Sequence, residues 1–127
     1  KLDDCRLVDL PGYGYAKVSH DEKKRWSELM EAYFSSGRDI RLVVQLIDMR
    51  HAPSADDMTM LNFLRESGIP FVIALTKCDK LNKTEFNARL EALETELAEY
   101  SDIVKIPCSS VKGDGIEAVK AEIEKVC

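Results

Sequence analysis

The 127-residue chain is poor in several things at once, and each shortage removes a class of protein. Its four cysteines, Cys5, Cys78, Cys108 and Cys127, lie far apart with no C-x-x-C pair, so neither a zinc site nor a disulfide framework is signalled and a reducing compartment fits. No apolar run approaches the roughly 20 residues needed to cross a bilayer, and no signal-peptide pattern stands at the start, so the expectation is a cytoplasmic protein without a membrane partner. Positive charge does not dominate: 18 Lys and Arg against 23 Asp and Glu give a formal charge of −5 and a pI near 5.1. A chain with that balance does not grip nucleic acid by net field, and any RNA contact would be local. The one basic stretch, Lys17 to Arg25, also holds Asp21 and Glu22, as exposed helix faces do. Tryptophan occurs once, as Trp26, at a helical spacing that reads as core. The absence with the widest consequence is of a motif. G-x-x-x-x-G-K-[ST], whose backbone amides cradle phosphates while its lysine and hydroxyl hold phosphate and metal, occurs nowhere in the chain.

What is present alternates between short apolar runs and amphipathic stretches, the pattern of an α/β domain with a mostly parallel sheet. At this length one compact core is the expectation. A first strand near Cys5 to Asp9 leads to a helix opened by Ser19 with Glu22 as capping-box partner, carrying Trp26, Leu29, Met30, Tyr33 and Phe34 and ending at Gly37. A second strand, Leu42 to Asp48, is nearly all apolar and is expected to be covered on both faces. A helix from about Ser54, with Met58, Leu61 and Leu64 on its stripe, stops at Gly68. Pro70 then introduces the strand Phe71 to Leu75. A helix beginning near Asn82, with Glu85 as box partner, carries Phe86, Leu90, Leu93 and Leu97. The short strand Ile103 to Ile106 precedes Pro107, and a last helix carries Ile116, Val119, Ile123 and Val126.

Three candidate binding loops follow strands, which is where ligands sit in open parallel sheets. The first is Asp9-Leu10-Pro11-Gly12. A carboxylate there can hold a water of a magnesium shell, and a side-chain-free Gly12 lets its amide approach a terminal phosphate oxygen. Alone, D-x-x-G also fits an ordinary aspartate at a strand-to-turn junction. The second is Thr76-Lys77-Cys78-Asp79. The Asp79 carboxylate can accept from guanine N1 and N2, the Lys77 stem can lie over the base, and Thr76 can tie neighbouring loops. Adenine lacks that donor pair, and such a site rejects the wrong base by on the order of 10⁴. A charged loop leading into a helix would read the same way. The third, Cys108-Ser109-Ser110, precedes Lys112-Gly113; the Ser109 hydroxyl can brace the aspartate loop while the Ser110 amide reaches guanine O6. Any turn is rich in Ser and Gly. It is the order of the three, each at a strand end and one strand-helix unit apart, that argues for a guanine-nucleotide site.

The string Leu7-Val8-Asp9-Leu10-Pro11-Gly12-Tyr13-Gly14-Tyr15-Ala16, then Trp26, Asp48-Met49-Arg50-His51 and Thr76-Lys77-Cys78-Asp79-Lys80, resembles the bacterial EngB-type GTPases over essentially the whole chain. The double tyrosine after D-x-x-G is its specific part. The resemblance implies a Ras-like P-loop GTPase fold, a mostly parallel sheet with helices on both faces, whose first strands are absent here. Residues 1–127 are then the C-terminal portion of one GTP-binding domain. It also implies GTP and GDP as ligands with Mg²⁺, GTP hydrolysis by the complete protein, and a partner in the large ribosomal subunit, its RNA or its proteins. The family is further tied to cell division and septation.

Carried over, Asp9 and Gly12 face the γ-phosphate, Lys77 and Asp79 the base, and Ser109 and Ser110 close over it, while Cys78 fills a variable position. Tyr13 stands where Ras-type enzymes place the glutamine that orients water, which implies slow intrinsic hydrolysis and leaves no catalytic residue assigned. The family's direct metal ligands precede residue 1, leaving Asp9 to reach Mg²⁺ through water only, so the 127 residues alone are expected to bind GDP feebly and hydrolyse nothing. The strands ending at Asp9 and Asp48 would keep open edges through which the chain could self-associate. Arg50 and His51 are candidates to contact the loop after Gly12 or a ribosomal partner, or to satisfy nearby backbone. Two other readings remain: another translation-associated GTPase of the superfamily, and a non-catalytic α/β module that binds protein or RNA.

Overall fold

A computed structural model describes residues 28–29, 31–33, 40–109, 113 and 115–126. The chain divides into two compact units, Lys1–Ile40 and Arg41–Cys127. Of the first, the described residues 28, 29 and 31–33 are helical, with Leu29 exposed, which agrees with the helix expected between Ser19 and Gly37. The strand Cys5 to Asp9, Trp26 and the Asp9 to Gly12 loop lie outside the described residues, as does Ser110.

The second unit holds a three-stranded parallel sheet in the order β1-β2-β3. Its strands are β1 (Val43–Asp48), β2 (Phe71–Thr76) and β3 (Lys105–Pro107). Helix α1 (Ala55–Glu66) joins β1 to β2, α2 (Lys83–Glu96) joins β2 to β3, and α3 (Ile116–Val126) follows β3. The register pairs Asp48 with Thr76 and Leu75 with Pro107, so all three strands end at the same edge.

Local chemistry sets these boundaries. Ser54 caps α1, accepting from the Asp57 amide at 3.0 Å while the Asp57 carboxylate returns the bond to the Ser54 amide at 2.9 Å. Asn82 and Glu85 form the same reciprocal box at the start of α2, at 2.8 and 3.0 Å, as their spacing predicts. Gly68, at φ +71°, ends α1 in the left-handed conformation that only glycine adopts without cost. Proline, which donates nothing to a ladder, appears in β3 at Pro107, the outer strand, and before β2 at Pro70, whose carbonyl accepts from the Val43 amide at 3.0 Å.

The central strand carries the core: Phe71 through Leu75 are all buried, as are Leu61 and Leu64 of α1, Leu93 of α2, Leu97 just beyond α2 and Ile106 of β3. Three sequence expectations shift. On α1 it is Met60, with Leu61 and Leu64, that is buried, whereas Met58 is half-buried. The last strand begins at Lys105 because the Ile103 amide turns back to the Tyr100 carbonyl at 3.0 Å and so leaves the ladder. β1 alternates instead of being covered on both faces: Gln45 and Ile47 are buried, and Leu46 on the other side is 62% exposed. Among the described residues β1 is an outer strand, and no residue of α3 is buried despite its apolar stripe.

Candidate guanine-nucleotide edge

Parallel register brings Asp48, Thr76 and Cys108 to the carboxyl edge of the sheet, and the loops that follow them form the candidate site. Thr76 ends β2 and ties inward: its hydroxyl donates to the Ile47 carbonyl at 3.3 Å, and its carbonyl accepts from the Met49 amide at 3.1 Å. Both bonds fasten the end of β2 to the end of β1.

Lys77 follows at φ +65°, the one non-glycine residue with positive φ among those described. A side chain in that region is held at a cost of the order of 1–2 kcal/mol, and the neighbouring bonds show what holds it. The Lys80 amide donates back to the Lys77 carbonyl at 3.1 Å, closing the single 3₁₀ turn Cys78–Lys80. The Cys78 amide donates to the Cys108 carbonyl at 3.2 Å, and the Cys108 amide donates to the Leu75 carbonyl at 2.8 Å. The base-box loop and the serine loop are thereby tied backbone to backbone. Cys78 is buried beneath the loop, while Lys77 is exposed and Asp79 half-buried.

The serine loop is anchored from two sides. Ser109 is fully buried and its carbonyl accepts from the Gly113 amide at 2.8 Å. Gly115, at φ +76°, lies so close to the end of β3 that a Cβ there would stand 2.1 Å from the Pro107 carbonyl oxygen and 2.8 Å from Cys108 Cβ. Only glycine fits. Sequence reasoning named Lys112-Gly113 and passed over Gly115; the signal was the second glycine of Gly113-Asp114-Gly115, directly ahead of an apolar helix.

Beside the loops lies a charge cluster. The Arg50 guanidinium grips Asp48 in a fork, Nε to Oδ1 at 3.0 Å and Nη2 to Oδ2 at 2.8 Å, and the Arg50 amide adds a bond of 3.0 Å to Oδ1. Hydrogen bonding from Arg50 holds the Asp48 carboxyl below its ordinary value against the opposing effect of burial. Lys77 Nζ reaches Asp48 Oδ2 at 3.9 Å, and Asp79 in turn adds to the field that raises the Arg50 pKa. Arg50 therefore pairs with a side chain two residues back, a role in addition to the three the sequence suggested. His51 supplies a carbonyl: Arg89 of α2 donates to it at 2.7 Å and to the Met49 carbonyl at 2.8 Å, while bridging Glu96 at 2.8 Å. Nothing local in the sequence announces this clamp, because its partners lie 38 and 40 residues away.

A hollow of about 500 Å³ elsewhere, lined by Leu90 and Leu93 of α2 with Leu97 and Lys105, contains none of the predicted site residues. Among the described residues no group of three potential metal ligands is gathered, and no helix is long and apolar enough to cross a membrane.

Two chemically different loops, a lysine and a carboxylate on one and a buried serine on the other, are thus fixed at the edge of a parallel sheet where α/β domains bind their ligands. Over residues 1–123 the chain matches the family model described as ferrous iron transport protein B, and it belongs to that family of GTPase domains. It is also similar to curated proteins described as probable GTP-binding protein EngB. A probable GTP-binding protein EngB from Streptococcus sanguinis (strain SK36) is 41% identical over 116 residues, covering 91% of this chain and 60% of that protein. One from Desulfitobacterium hafniense (strain DSM 10664 / DCB-2) is 39% identical over 124 residues, covering 98% and 62%. The chain thus spans about three fifths of the length of the relatives it matches. The crystal structure of a probable GTP-binding protein engB superimposes with a TM-score of 0.74 at 25% identity, covering 93% of this chain and 75% of that one. The apo form of translation elongation factor SelB from Methanococcus maripaludis shares the fold at a TM-score of 0.69 and 22% identity, covering 94% and 24%.

Proposed function

We propose that this chain carries the base-recognition part of a guanine-nucleotide site, and that the complete protein hydrolyses GTP. The observation that supports this most directly is the Cys78 amide bonded to the Cys108 carbonyl at 3.2 Å, which holds the Asp79 and Ser109 loops side by side. In this reading Asp79 accepts from guanine N1 and N2, the exposed Lys77 stem covers the base, and the Ser110 amide meets O6. Ser109 braces the pair from beneath. Asp9, Leu10, Pro11 and Gly12 form the phosphate-sensing loop, and Asp9 reaches Mg²⁺ through water. When bound, that cation would neutralise charge developing on the phosphates. The protein acts in the cytoplasm, on assembly of the large ribosomal subunit and in cell division and septation; kinship to EngB-type relatives supports this part. The 127 residues by themselves bind GDP feebly and hydrolyse nothing.

The decisive experiment is Asp79→Asn in the complete protein, with GDP and XDP affinities measured by titration. The amide donates where the carboxylate accepted, so GDP affinity is expected to fall by on the order of 10⁴ while XDP affinity rises. An unchanged preference would favour a non-catalytic module binding protein or RNA.

A further inference from the structure

Cys78 and Cys108 are the two thiols among the described residues, and each stands on one of the two loops that the guanine-site reading joins. They are 9% and 6% exposed, so both side chains turn inward beneath the site. A backbone bond of 3.2 Å connects them, amide of one to carbonyl of the other. With the covalent bond lengths on either side, that bond keeps the two Cα atoms within about 7 Å of each other. A disulfide needs about 4.4–6.8 Å. The thiols also feel each other: burial pushes the Cys108 thiol up, and Cys78 beside it pushes it further.

We infer that Cys78 and Cys108 form an oxidation site that closes into a disulfide in the presence of a small hydroperoxide, and that the bond disables the loops above it. The second half rests on the guanine-site reading. Cys78, the more accessible thiol, attacks hydrogen peroxide as its thiolate, giving a sulfenic acid and hydroxide, which takes up the thiol proton as water. The Cys108 sulfur then attacks the Cys78 sulfur, the S–S bond forms and the sulfenic oxygen leaves as a second water. Two thiols give up two protons and two electrons, and one peroxide becomes two waters. Forming the bond draws the Cβ atoms to about 3.8 Å. The loops have no slack to absorb that, since Lys77 is already held at φ +65° and Cys108 lies against Gly115. Lys77, Asp79 and Ser109 are displaced together.

The experiment treats the complete protein with hydrogen peroxide, blocks remaining thiols and digests with trypsin. Cleavage after Lys77, Lys80, Lys105 and Lys112 places Cys78 on residues 78–80 and Cys108 on residues 106–112. A linked pair of these peptides is expected, lighter by two hydrogens than their sum. GDP affinity of the oxidised protein should fall by at least about tenfold and return with a thiol reductant. Cys78→Ala should abolish the linked pair and the peroxide effect on affinity together. Separate, singly oxidised or blocked peptides would overturn the proposal, and a linked pair with unchanged GDP affinity would overturn its regulatory half. A linked pair in a protein that binds GDP in neither state would keep the disulfide and overturn the guanine-site reading instead.

Discussion

At the amino ends of the strands, Tyr100 is fully buried and used on every side. Its ring meets Phe71 edge-on at 6.3 Å and lies under the Arg65 guanidinium at 4.9 Å, its hydroxyl donates to Asn62, and its carbonyl accepts from Lys105 Nζ. Arg65 is held in turn by Asp102 at 2.8 Å. At the carboxyl ends the economy is reversed. Backbone bonds tie the loops, one non-glycine residue sits at positive φ, and Lys77 is exposed while Asp79 is half-buried. One sheet thus concentrates side-chain cohesion at one end and leaves backbone strain and partly solvated charge at the other.

The largest effect expected from breaking this contrast is at the cohesive end. Tyr100→Ala removes a fully buried aromatic with its ring contact, cation-π contact and hydroxyl bond, and should destabilise the domain by about 3–5 kcal/mol in denaturant unfolding. Nucleotide affinity of the remaining folded fraction should be unchanged, because the partners described for Tyr100, which are Phe71, Arg65, Asn62 and Lys105, are not among the candidate site residues. Loss of affinity at matched folded concentration would show that the two ends are coupled.

Gly115→Ala comes next and should damage both properties. A left-handed alanine and a Cβ facing the Pro107 carbonyl at 2.1 Å force the end of β3 to move, at about 2–4 kcal/mol. Because Cys108 and Ser109 follow directly, guanine-nucleotide affinity should fall even among folded molecules. An alanine variant with native stability and native affinity would mean that the loop before α3 yields freely. Arg89→Met asks whether backbone bonds alone hold the site end. It strips donors from the Met49 and His51 carbonyls and leaves Glu96 alone, and should cost about 1–3 kcal/mol in the same unfolding measurement. A neutral result would assign the loop after β1 wholly to the Met49 amide bond to Thr76.

How much of this was legible in the sequence follows from the range of each interaction. The loops at Thr76 and Ser109 could be located because parallel strands end together and short apolar runs mark those ends. The Asn82-Glu85 box was visible because its partners are three residues apart. Arg89 and Tyr100 were not, since their roles depend on groups that chain topology alone brings near, and Gly115, though marked as the second glycine ahead of α3, has a contact with Pro107 that only the fold supplies. The exposure of Leu46 escaped for a related reason: a run of apolar residues states what a strand could bury, and the neighbouring elements decide whether it does. The loop from Asp9 to Gly12, read as the phosphate sensor, lies outside the described residues and stands on its motif.

The smallest expected effect sharpens the comparison most, because it separates charge at the site end from cohesion. Asp48 and Arg50 are each about one-third exposed, so solvent screens their pair and Asp48→Asn should cost no more than about 1 kcal/mol at neutral pH. The sign of its pH dependence is fixed by the direction of the shift. The folded-state carboxyl lies below its ordinary value of 3.8, so the pair's contribution is complete above that value and is lost as pH falls through the lowered folded value. The stability gap between wild type and Asp48→Asn, measured by unfolding at a series of pH values, should stay constant from neutrality down to about pH 5 and then narrow. A gap that widens on acidification would mean that the carboxyl is strained by its burial instead of held by Arg50. Lys77, 3.9 Å from the same carboxylate, would lose its counter-charge in the variant, so a concurrent change in guanine-nucleotide affinity would trace how far the site borrows its field from β1.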